Sequence, residues 1–161
     1  MRGLTPYFLA ATIFALDRIT KRIVETSMSV FDTHTIIPGF FDIVHAQNRG
    51  AAFSMFADST SPWRPVFLIG LSLAALVLVA GILRKASSLD KATAVGLSLI
   101  LGGALGNVFD RIVSGAVTDF LDFYIGALHW PAFNVADSAI VIGSGLLLLS
   151  LLRPKHQPAG A

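Results

Sequence analysis

Hydrophobic residues in this chain come in long runs separated by compact polar passages, and the runs set the predicted elements. Residues 65–83 are almost uninterruptedly apolar, and 92–109 and 135–152 form two further runs. As a helix, each is close to the roughly 20 residues that cross a bilayer. A first run starts at residue 4 and meets Asp17-Arg18-Ile19-Thr20-Lys21-Arg22. Helical spacing continues through Ile19, Ile23 and Val24, so the predicted span is 4–25. Its apolar core resembles that of a secretory signal peptide, but no small-x-small cleavage site follows, and the segment is read as retained. Asp17 and Lys21 are then i,i+4 neighbours, read as an ion pair at the interface with snorkelling stems.

Two polar connections remain, 26–64 and 110–134. In the first, Pro38-Gly39 is a turn signal, 40–47 has the bias of a strand, and Asn48-Arg49-Gly50 is a second turn before Ala51-Ala52-Phe53-Ser54-Met55-Phe56. This predicts a small hairpin at the membrane surface. Two strands alone are marginal, so Phe41, Ile43, Phe53 and Phe56 are candidates for a face laid on lipid or on the helices. The second connection carries Phe120, Phe123, Tyr124, Trp130 and Pro131, a composition suited to the headgroup level. Asn134 has the character of an N-cap for the last helix, with Asp137 three residues on. Gly96, Gly102, Gly103 and Gly106, the last closing Gly102-x-x-x-Gly106, and the Gly143-Ser144-Gly145 stretch offer faces for close helix packing. No Lys-Ser or Lys-Thr follows these glycines and no strand precedes them, which excludes a phosphate-binding loop.

Composition then settles the class. With 54% hydrophobic residues, 14% charged and a mean hydropathy of +0.71, the chain is too apolar for a soluble domain. The expectation is a single integral membrane domain over 1–161: an all-α membrane protein of four transmembrane helices with a small β-hairpin or cradle. The net charge of +2 is not gathered into a polybasic block, so nucleic acid is excluded as a partner. Arg153-Pro154-Lys155-His156 reads as a juxtamembrane anchor to anionic membrane lipids. The absence of cysteine removes disulfides and thiolate nucleophiles. Four spans put both termini on the side of the 84–91 loop. Lys and Arg divide six against six between the two sides, but Arg2, Arg84, Lys85, Lys91, Arg153 and Lys155 crowd into three short segments. Cytoplasmic termini are therefore favoured, with 26–64 and 110–134 extracytoplasmic.

Five hydrophilic side chains, Asn107, Arg111, Asp119, Asn134 and Asp137, lie where apolar segments begin or end, which marks a candidate site. Asp119 in the second connection and Asp137 in the first turn of the last helix are the raw material for a carboxyl dyad. Like charges brought close cannot both ionise, so one group serves as acid and the other as base. The helix N-terminus favours charge on Asp137. Asn107 and Arg111, four apart on one helical face, offer donors beside the pair. The plainer alternatives are a helix-start acid at Asp137 and a solvated loop acid at Asp119. His34, His45, His129 and His156 show no ligand spacing, so no metal is expected. A Ser-Lys hydrolase would rest on Ser54 and Lys21, and Ser54 fits better as a packing or hydrogen-bonding residue of the hairpin.

In five motifs the chain resembles the lipoprotein signal peptidases, the bacterial signal peptidase II family of membrane aspartic proteases. These are Asp17 with Lys21, Asn48-Arg49-Gly50-Ala51-Ala52-Phe53-Ser54, Gly103-Ala104-Leu105-Gly106-Asn107-Val108-Phe109-Asp110-Arg111, Val117-Thr118-Asp119-Phe120 and Phe133-Asn134-Val135-Ala136-Asp137. All occur in the family's order across the four spans, with no departure in the motif residues. The resemblance implies a protease of the bacterial inner membrane, acting at its periplasmic face, that removes the signal peptide from a prolipoprotein just before a diacylglyceryl-modified cysteine. By it, Asp119 and Asp137 are catalytic; Asn48, Gly50, Asn107, Arg111 and Asn134 line the site and hold substrate backbone, with Asp17 close by. It also implies a water nucleophile without metal or organic cofactor, and inhibition by a lipopeptide antibiotic of the globomycin type. The rival readings are a small proton-coupled transporter with the same aspartates as relay acids, and a non-catalytic membrane assembly protein using its glycine faces. Neither repeated halves nor interrupted midplane helices support the first. The second gives no reason for polar groups gathered at one end of two helices.

Overall fold

A computed structural model describes residues 4–50 and 63–152. Among these residues four α-helices, α1 (Thr5–Ser27), α2 (Arg64–Leu83), α3 (Lys91–Val113) and α4 (Val135–Leu152), carry a small antiparallel sheet at one end of the bundle. Its strands are β1 (Thr33–Ile37), β2 (Phe41–Asn48), β3 (Val117–Ile125) and β4 (Leu128–His129), in the order β1-β2-β3-β4.

The starts of the helices are set by local chemistry. Pro lies in the first turn of α1 and of α2, where its missing N–H costs nothing. Asp90 caps α3 by accepting Thr93 N–H at 3.0 Å, and Ser150 Oγ donates to its other oxygen at 2.9 Å, tying the start of α3 to the end of α4. Asn134 caps α4, its Oδ1 accepting the Asp137 N–H at 2.9 Å, as the sequence leads one to expect.

The bundle is organised on α3, which packs against each of the other helices. Glycine allows that closeness. A Cβ at Gly96 would stand 2.7 Å from the Gly143 carbonyl oxygen, and one at Gly143 would stand 2.5 Å from the Gly96 oxygen, so the α3 and α4 backbones touch reciprocally. Gly102 admits the Ala10 carbonyl of α1 at 2.5 Å from where its Cβ would be. Gly145 faces open space and plays no such part. Leu76 and Leu83 of α2 meet Leu97 and Leu101 of α3 and Ala10 of α1 in the apolar core.

Outside, the helices are apolar as well: Phe8, Val77 and Leu151 are 70%, 74% and 83% exposed. A surface of this kind suits lipid rather than water. Among the described residues three helices are long and apolar enough to cross a membrane, over Pro65–Leu83, Lys91–Val113 and Val135–Leu152, with mean hydropathies of 2.8, 1.6 and 2.1. With Asp17, Arg18, Lys21, Arg22 and Glu25 in its second half, α1 is not among them.

Several expectations are corrected. The fold is mostly helical rather than all-α, because the 110–134 connection contains β3, a nine-residue strand. Its β-branched and aromatic residues pair with β2 far back in the chain, so Asp119 stands on a strand and not in a loop. The observed hairpin joins β1 to β2 through Pro38-Gly39, with Gly39 at φ 78°, one strand earlier than expected. Ala51 to Phe56, including Phe53, Ser54 and Phe56, lie outside the described residues, as does the basic tail from Arg153. Phe41 stacks on Phe123 of β3 rather than on a helix, with ring centroids 4.5 Å apart. The third helix runs on to Val113 rather than ending at Phe109, since Asp110 in its last turns is paired inside the bundle with Arg18 and Lys21.

Candidate active site

The sheet and the start of α4 bring the two aspartates together. In the β2–β3 register Ala46 stands opposite Asp119, so Asn48, two residues along β2, is a diagonal neighbour on the same face. Asn48 Nδ2 donates to Asp119 Oδ2 at 3.1 Å. The residue ahead of α4 joins the same sheet: Phe120 and Leu121 N–H both donate to the Phe133 carbonyl, and Phe133 N–H donates to Leu121. Phe123, stacked between Phe41 and Phe133, clamps this junction. Asn134 is thereby set beside Asp119, and its Nδ2 donates to Asp119 Oδ1 at 2.7 Å. Asp137 follows on the first turn of α4, where Asn107 Nδ2 of α3 donates to its Oδ1 at 2.8 Å.

The orientation of each of the three asparagines follows from its other partner. Asn134 Oδ1 accepts the Asp137 N–H, Asn48 Oδ1 accepts the Gly50 N–H at 2.8 Å, and Asn107 Oδ1 accepts Lys21 Nζ at 2.9 Å. A backbone N–H and an ammonium can only donate, so the atom facing each of them is oxygen and the NH₂ faces the aspartates. The two carboxylates are close enough for the Asp137 charge to act on Asp119, and the asparagine amides stand around them.

Asp119 is 3% exposed. Burial first, and then the Asp137 charge, push its carboxyl up to about 7, against the opposing pull of the Asn48 and Asn134 donors and of Lys21. Arg111 reaches across the site, donating through Nη2 to the Gly50 carbonyl at 2.9 Å and through Nη1 to the Asn107 carbonyl at 3.3 Å. Its Nε is buried without a hydrogen-bond partner among the described residues.

The aspartates open on a cavity of about 720 Å³. Asn48, Asn107, Arg111, Asp119 and Asp137 make its polar end. Leu68, Leu71 and Ala75 of α2 and Ile140 and Val141 of α4 line much of the rest, and Trp130 to Phe133 ahead of α4 line another part. Among the described residues no cluster of three or more His, Cys, Asp or Glu side chains is arranged to hold a metal ion.

Asp17 is wholly buried: its Oδ1 accepts the Ala136 N–H at 3.0 Å, and its Oδ2 lies 2.8 Å from Lys21 Nζ. The pair is not an interfacial one with snorkelling stems, because Gly106 leaves the space into which the Asp17 carboxylate fits beside α3. Gly50 is near the site, but its N–H and its carbonyl are both taken, by Asn48 and Arg111. Sequence reasoning missed the buried charge group around Lys21, which adds Asp110, 2.7 Å from Nζ, and Arg18 paired to Asp110. The signal available was an unusual density of charge at matched positions of two apolar helices.

The family model described as signal peptidase (SPase) II matches residues 9–153. A lipoprotein signal peptidase of Solibacter usitatus is 61% identical over 153 residues, covering 95% of this chain and 93% of that protein. Another, from Maridesulfovibrio salexigens, is 42% identical over 153 residues, covering 92% and 98%. A bacterial membrane enzyme solved by the in meso method at 2.3 Å resolution superposes with a TM-score of 0.84 at 30% identity, covering 97% of this chain and 94% of that one. The chain therefore belongs to the signal peptidase II family, a family of membrane proteases that remove the signal peptide from prolipoproteins.

Proposed function

We propose that this protease is an aspartic endopeptidase whose catalytic pair is Asp119 and Asp137, and that it cuts the amide just before a diacylglyceryl-modified cysteine. The observation that carries the reading is the convergence of the two carboxylates at the polar end of a cavity lined elsewhere mainly by apolar side chains. A signal helix with a lipidated cysteine is apolar on both sides of its cleavage site. The α2 and α4 walls suit those parts, and the scissile amide would then lie at the aspartates.

In this mechanism Asp119 holds a proton near neutrality and Asp137 acts as base. Asp137 takes a proton from water as its oxygen attacks the carbonyl carbon, while the Asp119 carboxyl donates a hydrogen bond to the carbonyl oxygen. In the tetrahedral intermediate a proton passes to the amide nitrogen, the C–N bond breaks, and the signal peptide leaves with a new carboxyl group. Asn48, Asn107 and Asn134 hold the acids, and Arg111 Nε, unpaired among the described residues, is a donor for substrate backbone. Gly50 shapes the rim through Arg111, and Asp17 supports the site from below. No metal or organic cofactor enters any step.

The chain acts as one membrane domain over 1–161, with α1 as a fourth span. What supports the fourth span is that Asp17 and Lys21 are wholly buried while Phe8, Leu16, Ile19 and Ile23 face outwards. Both termini are cytoplasmic in the bacterial inner membrane, and the sheet and aspartates lie at the periplasmic face among headgroup lipids. A lipopeptide of the globomycin type is expected to occupy the cavity and block the pair.

The test is cleavage of a diacylglyceryl-modified prolipoprotein by the purified protein in detergent. Asp119→Asn and Asp137→Asn should each abolish product while the protein stays folded. Robust cleavage by either refutes the mechanism, and equal cleavage of unlipidated substrate refutes the substrate assignment.

A further inference from the structure

Lys21 is wholly buried, belongs to the first helix and lines no part of the cavity. Its ammonium donates a hydrogen bond to Asn107 Oδ1 at 2.9 Å and forms ion pairs with Asp17 Oδ2 at 2.8 Å and Asp110 Oδ2 at 2.7 Å. Two of these are charge neutralisation. With Arg18 paired to Asp110, the group holds two cations and two carboxylates, and a purely structural role needs no more than that balance.

The third contact does something else. Asparagine presents oxygen on one side of its amide and NH₂ on the other, and the two ends interchange by rotation about one bond. Lysine has no acceptor, so its ammonium accepts only the oxygen as neighbour and excludes the rotated form. The weaker approach of Asn134 Nδ2 to the same oxygen, at 3.4 Å, points the same way. The NH₂ is left facing Asp137 Oδ1. Without the ammonium, the rotated amide would set an oxygen against the Asp137 carboxylate.

We propose that Lys21 is a positioning residue for the cleavage reaction, holding the Asn107 amide in the one orientation that donates to Asp137. This rests on the two-aspartate reading above. Lys21 touches neither substrate nor water in that mechanism and acts only through Asn107.

The test separates orientation from charge balance. Lys21→Met alone leaves the buried Asp17 carboxylate without its cation and risks the fold, whereas Asp17→Asn with Lys21→Met removes one charge of each sign. The amide introduced by Asp17→Asn would keep an acceptor for the Ala136 N–H. With rates normalised to folded protein by thermal unfolding in detergent, this double variant should lose at least about tenfold in kcat, with KM within about twofold of wild type. Placed in an Asn107→Ala background, the same pair of changes should cost less than about twofold, since the amide to be oriented is gone. Full kcat in the folded double variant overturns the proposal, as does an equal loss with and without Asn107. Asp119→Asn and Asp137→Asn are assayed alongside. Activity surviving in either sinks the two-aspartate reading, while inactive aspartate variants beside a fully active double variant sink the Lys21 proposal alone.

Discussion

Asp17 Oδ1 accepts the backbone N–H of Ala136 at 3.0 Å, so a carboxylate from the first helix caps the last one, 119 residues further on. The first turn of α4 is where Asp137 sits, and the position of that acid is thereby tied to α1. Asp17→Ala would leave the Ala136 N–H and one Lys21 N–H unpaired in a wholly buried place. The expected loss is about 3–5 kcal/mol, the range for breaking a buried ion pair by removing one partner. Asp17→Asn, which keeps an acceptor, should lose less. Unfolding of both variants in the same detergent measures the difference, and an alanine variant as stable as wild type would show that the cap contributes nothing.

Asp119 makes stability depend on pH in a definite direction. Its carboxyl titrates near the ordinary 3.8 when unfolded and at about 7 when folded. The folded protein therefore holds this proton more tightly. The resulting stability is full below about 3.8, declines as pH rises towards 7, and is flat above. Asp119→Asn does not titrate, so its unfolding midpoint should rise relative to wild type between pH 4 and pH 8, by up to about 4 kcal/mol in stability. A constant difference across that window, or one of opposite slope, contradicts a raised Asp119.

In the proposed two-aspartate mechanism the same group sets one limb of the activity profile. With Asp119 as the protonated partner, half of the competent form remains near pH 7 and each further unit removes about tenfold. Prolipoprotein cleavage measured as kcat/KM from pH 5 to pH 9 should fall on the alkaline side with unit slope. A rate that keeps climbing to pH 9 would assign the proton elsewhere.

Glycine positions give a paired prediction. A Cβ at Gly106 would collide with the Asp17 carboxylate, whereas nothing lies within 4 Å of one at Gly145. Gly106→Ala must displace the Asp17–Lys21 pair and should cost about 1–3 kcal/mol, with loss of cleavage. Gly145→Ala lies inside α4 and should be neutral or stabilising by up to about 1 kcal/mol, with activity kept. Thermal unfolding and cleavage of the two variants side by side decide the matter.

Much of this protein was legible in its sequence, because helix spans, caps and glycine faces are local patterns. The predicted spans 65–83 and 135–152 correspond to α2 and α4 within a residue, and the Asn134 cap holds Asp137 as the spacing required. The acids at 119 and 137 and the donors at 107 and 134 stood out because polar groups beside apolar runs are costly unless they are used. Beyond the sequence's reach were β3, the burial of Asp17 and Lys21, and the way each asparagine is turned. Each depends on partners far along the chain: β2 against β3, α1 against α3 and α4, an ammonium against an amide oxygen. Local patterning settles which residues meet lipid and where helices begin. Only packing at a distance decides which polar atoms face one another, since a hydrogen bond is made by two groups and the sequence around one of them says nothing of the other.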